Sequence, residues 1–210
     1  MAQKVQFAKP SIGVGLRGQY RVATVTGTLA AALAVNAQVF QFKFPAAAVG
    51  LAAVTRIRAR FLPLTPFTAA TLTDHTSFDA FTARSYSGGG SGTTVTLSNN
   101  NAKMATAMAT CQAAINIATT GALTNAATLD ANPFASMLRK ANRVNPAAAT
   151  EEVVMASNPD LEFLPLFAEG DIPLILAPGE GFVLANRTVW PAAGTGILSV
   201  EVGWTEAAGF

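Results

Sequence analysis

The chain has 210 residues, of which 50% are hydrophobic and only 12% charged, and its formal net charge is +2. Soluble domains carry about 25% charged residues, so a surface this poor in charge, at a mean hydropathy of +0.35, is expected to be covered in large part by other protein. Cys111 is the one cysteine, which excludes an internal disulfide and a cysteine-based zinc cage.

The length fits one domain with a real core, burying roughly 70% of its unfolded surface. The longest apolar runs, residues 29–35 and 46–54, fall short of the ~20 residues needed to cross a bilayer. The opening MAQKVQFAKPSIG lacks the apolar core and cleavage site of a secretory signal. The expectation is a soluble protein made in the cytoplasm, with no membrane partner. Small side chains dominate, with 42 alanines, and they allow close, flat packing between subunits as readily as within one.

In chain order, residues 1–18 hold Pro10 and three glycines and read as an N-terminal arm. Lys4, Phe7 and Lys9 of this arm are candidates to touch a neighbouring subunit. Residues 19–210 read as one domain. Strands are predicted at 39–44, 55–61 and 198–205, where apolar residues recur with period two, and at 19–28, 77–86, 93–97, 114–119, 172–176 and 181–186, which turn residues separate. In VFQFKF, Phe40, Phe42 and Phe44 share a face opposite Gln41 and Lys43, as in a half-buried strand. In TRIRARF, Ile57, Ala59 and Phe61 face in while Arg56, Arg58 and Arg60 face out. Near the end, Leu198, Val200, Val202 and Trp204 alternate with Ser199, Glu201, Gly203 and Thr205.

Proline and glycine clusters punctuate these runs, at 63–66, 87–92, 177–181 and 192–196. The glycine-rich SGGGSG is expected to be a hairpin tip that returns residues 93–97 against 77–86. Only residues 102–112 and 133–141 have helix-forming composition. Residues 119–135 and 145–160 read as loop, which makes 101–160 a loop-rich elaboration. The predicted fold class is all-β, an antiparallel sandwich or jelly-roll-like fold.

Tests for chemistry return little. A phosphate cradle needs a lysine and a helix start after its glycines, whereas SGGGSGTTVTL runs into β-favouring residues. His75 has Asp74 beside it but no serine in a GxSxG elbow. Glu151 and Glu152 are sequence neighbours in an alanine-rich stretch, where carboxyls point apart rather than across a cleft. No calcium loop, HExxH or other ligand cluster occurs. No enzyme activity, cofactor or metal is therefore expected, and the scattered basic residues do not form a nucleic-acid-binding block.

Charge is unevenly distributed. Residues 1–150 hold thirteen of the fourteen basic residues and three acids, while 151–210 hold one basic residue and nine acids. The two parts attract, either as neighbouring strands within the fold or as complementary faces of separate copies. Arg56, Arg58 and Arg60 line one strand face and require acids, solvent or a partner opposite them. Trp190, in a loop next to Pro191, is a candidate contact anchor.

Several segments carry a resemblance: ARSY at 83–86, TLSNN at 96–100, TLDA at 128–131, GDIPLILAPGEGFV at 170–183 and the closing VGWTE at 202–206. Together, over about residues 78–210 apart from 145–160, they resemble a group of tailed-bacteriophage virion proteins. In that group an ARS(F/Y) strand precedes a glycine-rich turn and a TL-x-NN segment, and an EGFV block leads to a V-x-W-x-E strand. The resemblance implies a β-rich capsid decoration or cement protein in the virion, assembled in the bacterial cytoplasm. It would contact the major capsid protein and copies of itself, as a homotrimer. A tail-associated or receptor-binding module is the alternative.

Overall fold

The computed structural model describes residues 16–30, 32–65, 75–86, 92–98, 111–123, 127–140, 161–164, 173–190 and 194–208. Every regular element among them is a strand. In chain order these are β1 (Leu16–Val25), β2 (Gln38–Lys43), β3 (Leu51–Thr65), β4 (His75–Tyr86), β5 (Thr93–Thr94) and β6 (Ala114–Ile117). They continue as β7 (Ala127–Leu129), β8 (Ala135–Lys140), β9 (Leu161–Leu164), β10 (Leu174–Leu176), β11 (Gly181–Asn186) and β12 (Thr195–Ala207).

The strands form two antiparallel sheets packed face to face as a β-sandwich. The first sheet runs β1, β12, β3, with β9 and β10 sharing the far edge of β3; the second runs β5, β6, β2, β11, β4, with β7 and β8 sharing the far edge of β4. The pleat decides which residues meet between them. Leu198, Val200, Val202 and Trp204 of β12 point inward, and Phe40 and Phe42 of β2 with Phe182 of β11 meet them from the other sheet. Phe42 packs edge-on against Trp204 at 5.2 Å between centroids, and Phe61 of β3 lies 5.5 Å from Phe78 of β4. Each such pair adds about 0.5–1.5 kcal/mol beyond its buried area.

A bulge reconciles β3 with this core. Arg56 pairs with Gly203 but Val54 pairs with Trp204, so Thr55 is an extra residue. The bulge switches the inward positions from Ala52 and Val54 to Ile57, Ala59 and Phe61, and all five are buried. Without it, half of a 15-residue strand would present its apolar side to the wrong face.

Four sequence expectations change. Residues 135–140, read as part of a helix, form β8 along β4, from Ala80↔Ala135 to His75↔Lys140; a sheet edge supplies backbone bonds that so short a helix lacks. The expected return of residues 93–97 against 77–86 is not made, and residues 87–91 of the glycine-rich segment lie outside the described residues. β5 pairs with β6 at the opposite end of the second sheet from β4. Far from a mere elaboration, residues 101–160 supply β6, which lies between β5 and β2, as well as β7 and β8. Gln41 is fully buried, so β2 is covered on both faces. Lys4, Phe7 and Lys9, most of the other expected helix at 102–112, and residues 145–160 lie outside the described residues.

Two glycines secure the start of β11. Residues 177–180 (APGE) make a turn closed by the Glu180 amide donating to the Ala177 carbonyl at 3.0 Å, with Gly179 at φ +91°, which its type requires. Gly181 then lies beneath the ring of Tyr86, whose hydroxyl donates to the carbonyls of Phe42 and Phe182 at 2.9 and 3.2 Å. A Cβ at 181 would stand 2.0 Å from the Phe42 carbonyl oxygen and 2.7 Å from the Tyr86 hydroxyl. Gly181→Ala should therefore cost about 3 kcal/mol in urea denaturation, whereas Gly121→Ala, with nothing within 4 Å of its Cβ, should leave the midpoint nearly unchanged.

Candidate interaction surfaces

The outer face of the first sheet gathers the arginines. Arg56, Arg58 and Arg60 project from β3, and Arg21 joins them from β1 across β12, where Gly203 pairs with both Arg21 and Arg56. Gly203 has no side chain to separate the two guanidiniums, and both turn to Glu201, the acid on this face of β12. Arg21 forms an ion pair with it, and Arg56 Nη1 lies 3.4 Å from its Oε1. Arg58 stands directly opposite Glu201 in register, and on its other side opposite Glu162 of β9. Basic N-terminal and acidic C-terminal strands are thus neighbours within one sheet.

A recess of about 210 Å³ on this face is lined by Arg58, Ala59, Arg60, Ser199 and Glu201. Arg60 is exposed, whereas the Arg56 side chain is only 15% exposed. A planar guanidinium fork matches the two oxygens of a carboxylate; of the arginine ladder, Arg60 has the exposure to offer one to another molecule, and Arg56 is held in the sheet by Glu201.

Trp190 is placed elsewhere than its loop position predicted. Its ring is 2% exposed and packs edge-on against Phe61 at 5.3 Å and Phe78 at 6.0 Å. It fills the core and has no surface to offer a partner. Its neighbour Val189 is 62% exposed instead.

That residue belongs to a built end of the sandwich. Asn186, fully buried, donates from Nδ2 to the carbonyls of Ala34 and Thr188, both at 2.8 Å. The Trp190 amide donates to the Leu33 carbonyl and the Asn36 amide to the Asn186 carbonyl. Residues 32–36 are pinned so closely that Ala32 and Asn36 adopt φ of 61° and 60°, which for alanine costs roughly 1–2 kcal/mol. Leu29 and Leu33 anchor the segment inside, and Val35 stands 52% exposed.

The opposite end is tied by charge. Arg84 of β4 donates to both oxygens of Asp130 at 2.8 and 2.7 Å and to Glu180 at 3.1 Å. Its hydrogen bonds hold the Asp130 carboxyl below the usual aspartate range. A second brace joins the two sheets: Glu206, fully buried on the inward side of β12, accepts from the amides of Gln112 and Ala113 and from the Trp204 indole at 3.0–3.1 Å. Cys111 lies beside it, and burial, then the Glu206 charge, pushes its thiol up to about 12. Such a thiol carries almost no nucleophilic thiolate at neutral pH. On the β8 side, Asp79 accepts from Ser136 and from Arg187, both at 2.8 Å, fastening β8 to β4 and to the end of β11.

Among the described residues no three His, Cys, Asp or Glu side chains gather as metal ligands, and no helix is long and apolar enough to cross a membrane. Arg21, Glu206 and the pair Val35 and Val189 were missing from the sequence reading. Glu206 had a signal, since it continues the inward positions of Val202 and Trp204. The other three depend on strand register or loop packing, which only the fold supplies. Neither a scan against protein-family models nor a search of curated proteins finds a match for the chain.

The Glu206 brace has a measurable consequence. Glu206→Ala orphans three buried donors, each worth about 1–3 kcal/mol, so urea denaturation should show a loss on the order of 4 kcal/mol. Glu206→Gln, which keeps one acceptor oxygen, should lose roughly half as much. Equal stability of all three proteins would refute the brace.

Proposed function

We propose that this protein is a structural component of a bacteriophage virion, a decoration protein that seats on the outside of the head and bridges neighbouring capsomers. The observation that carries the reading is the convergence of the segments that resemble phage virion proteins. ARSY, TLDA and GEGFV are far apart in sequence, yet Arg84 of the first bonds Asp130 of the second and Glu180 of the third, while Tyr86 of the first covers Gly181 of the third. The motifs form one structural brace, so the resemblance lies in the framework of the fold. A framework likeness supports a structural role for the chain better than a shared chemistry.

Bridging a shell calls for contact area and copy number, and needs no catalytic group. The outer face of the first sheet supplies an oriented basic patch centred on Arg60, suited to an acidic surface of the major capsid protein. Electrostatic fit of that kind sets docking register and association rate more than affinity. Clustering of copies as trimers follows from the same reading.

The test is to add purified protein to heads that lack it and to count bound copies by quantitative mass spectrometry. Saturation at many copies per head is expected, and Arg60→Glu should lower occupancy about tenfold at limiting concentration without moving the thermal midpoint. Arg60 is the position to alter, because reversing Arg56 would set two carboxylates together at Glu201. Full occupancy by Arg60→Glu would reject the docking face. A few copies confined to the tail would reject decoration in favour of a tail module.

A further inference from the structure

The strand register gathers three exposed side chains at one corner of the first sheet's outer face. Val25, the last residue of β1, stands opposite Ser199 of β12, and Ser199 stands opposite Arg60 of β3, so the three form one row across the sheet. Val25 and Arg60 are thus two strand spacings apart, about 10 Å, with only a half-buried serine between them. Two residues beyond Arg60 on the same face of β3 comes Leu62, opposite Ile197. Val25 is 47% exposed, Leu62 is 45% exposed, and Arg60 is exposed as well.

We propose that Val25, Arg60 and Leu62 form one mixed docking site, and that its partner is a protein surface on which a carboxylate is set among apolar side chains. The inference rests on the docking role given to Arg60 above and names what the partner presents there. Charge selects the sign. The strands of this face contribute Arg21, Arg56, Arg58 and Arg60 against Glu201 and Glu162, so a second copy meeting through the same face would set arginines against arginines. The apolar neighbours select the class. Nucleic acid bound on a sheet face stacks its bases on aromatic rings, whereas Val25 and Leu62 are aliphatic. A bilayer takes up apolar side chains that project several ångströms into it, whereas these two are more than half covered within their own subunit. A protein surface can cover what remains, and arginine flanked by apolar contacts is a common build for the centre of an interface.

The recess on this face belongs to the same corner, since Arg60 and Ser199 are part of its lining. The acid in that lining, Glu201, is engaged by Arg21 and Arg56, which offsets its repulsion of an incoming carboxylate. Apolar cover from Val25 and Leu62 excludes water around the pair that Arg60 would form, and an ion pair held away from water is screened less. The apolar residues thereby add affinity of their own and strengthen the charged contact they surround.

Two measurements on the full chain test the site. In the absence of heads, methyl and arginine NMR shifts are followed as octanoate, acetate or octylammonium is added. Octanoate, a carboxylate with an apolar tail, should move Val25, Leu62 and Arg60 together at concentrations about tenfold below those that acetate needs, and octylammonium should not move Arg60. On heads that lack the protein, Val25→Thr with Leu62→Thr, which keeps β-favouring side chains, should raise the concentration for half occupancy about tenfold with an unchanged thermal midpoint. Val35→Thr with Val189→Thr, at positions 52% and 62% exposed, should bind like wild type. Octanoate that moves Val35 and Val189 as strongly as Val25 and Leu62 would overturn the proposal, as would full occupancy by the Val25 and Leu62 variant. Binding of wild type to phosphatidylglycerol vesicles through these residues would overturn it in favour of a lipid. Wild type that ignores heads yet shows the octanoate pattern would reject decoration and leave this site standing.

Discussion

The structure depends on what β12 is made to do on both of its faces at once. It pairs with β3 from Thr195 to Ala207 on one side and with β1 from Ser199 to Ala207 on the other. Its inward face supplies Leu198, Val200, Val202 and Trp204 to the space between the sheets, and its outward face supplies Glu201 to the arginines of both neighbours. At its end Glu206 turns the same inward register into a polar tie to the segment that begins β6 in the other sheet. A strand with an exact alternation of duties tolerates no slip, because a shift of one residue would bury Glu201 and expose Trp204. The bulge at Thr55 and the closely packed Gly181 are adjustments that let the flanking strands comply.

One consequence is that most of the ionic chemistry seen here is spent inside the subunit. Asp79, Asp130, Glu180, Glu201 and Glu206 each hold two elements together, and their partners Arg84 and Arg187 are engaged in the same ties. Exposed at the surface are Arg60 on the outer face of the first sheet and Val35 and Val189 at one end of the sandwich.

The legible part of the fold was the part governed by period two. The alternation in residues 39–44, 55–61 and 198–205 located β2, β3 and β12 and the core-facing side of each, because burial of one side of a pleat leaves a direct trace in sequence; for β2 the same alternation suggested an open second face, whereas Gln41 is buried there. Pairing left no such trace. Residues 93–94 pair with β6 rather than β4, and residues 135–140 chose a sheet edge over a helix; both outcomes depend on which edges are open once the other strands have assembled. Trp190 shows the same limit for side chains. Its loop position suggested exposure, but Phe61 and Phe78, distant in sequence, close over it and leave Val189 outside. Arg56 was visible as one rung of a charged ladder, whereas its capture by Glu201 required the register of β12.

Amide hydrogen exchange resolved by residue tests the seam role of β12 most directly. Interior amides bonded on both sides open only with the whole domain, while short edge strands open locally. The amides of residues 198–204 should exchange last, with a free energy equal to that of global unfolding, and those of β7 and β10 should exchange well before them. Exchange of 198–204 as early as β10, or by a local opening that denaturant does not affect, would contradict the account.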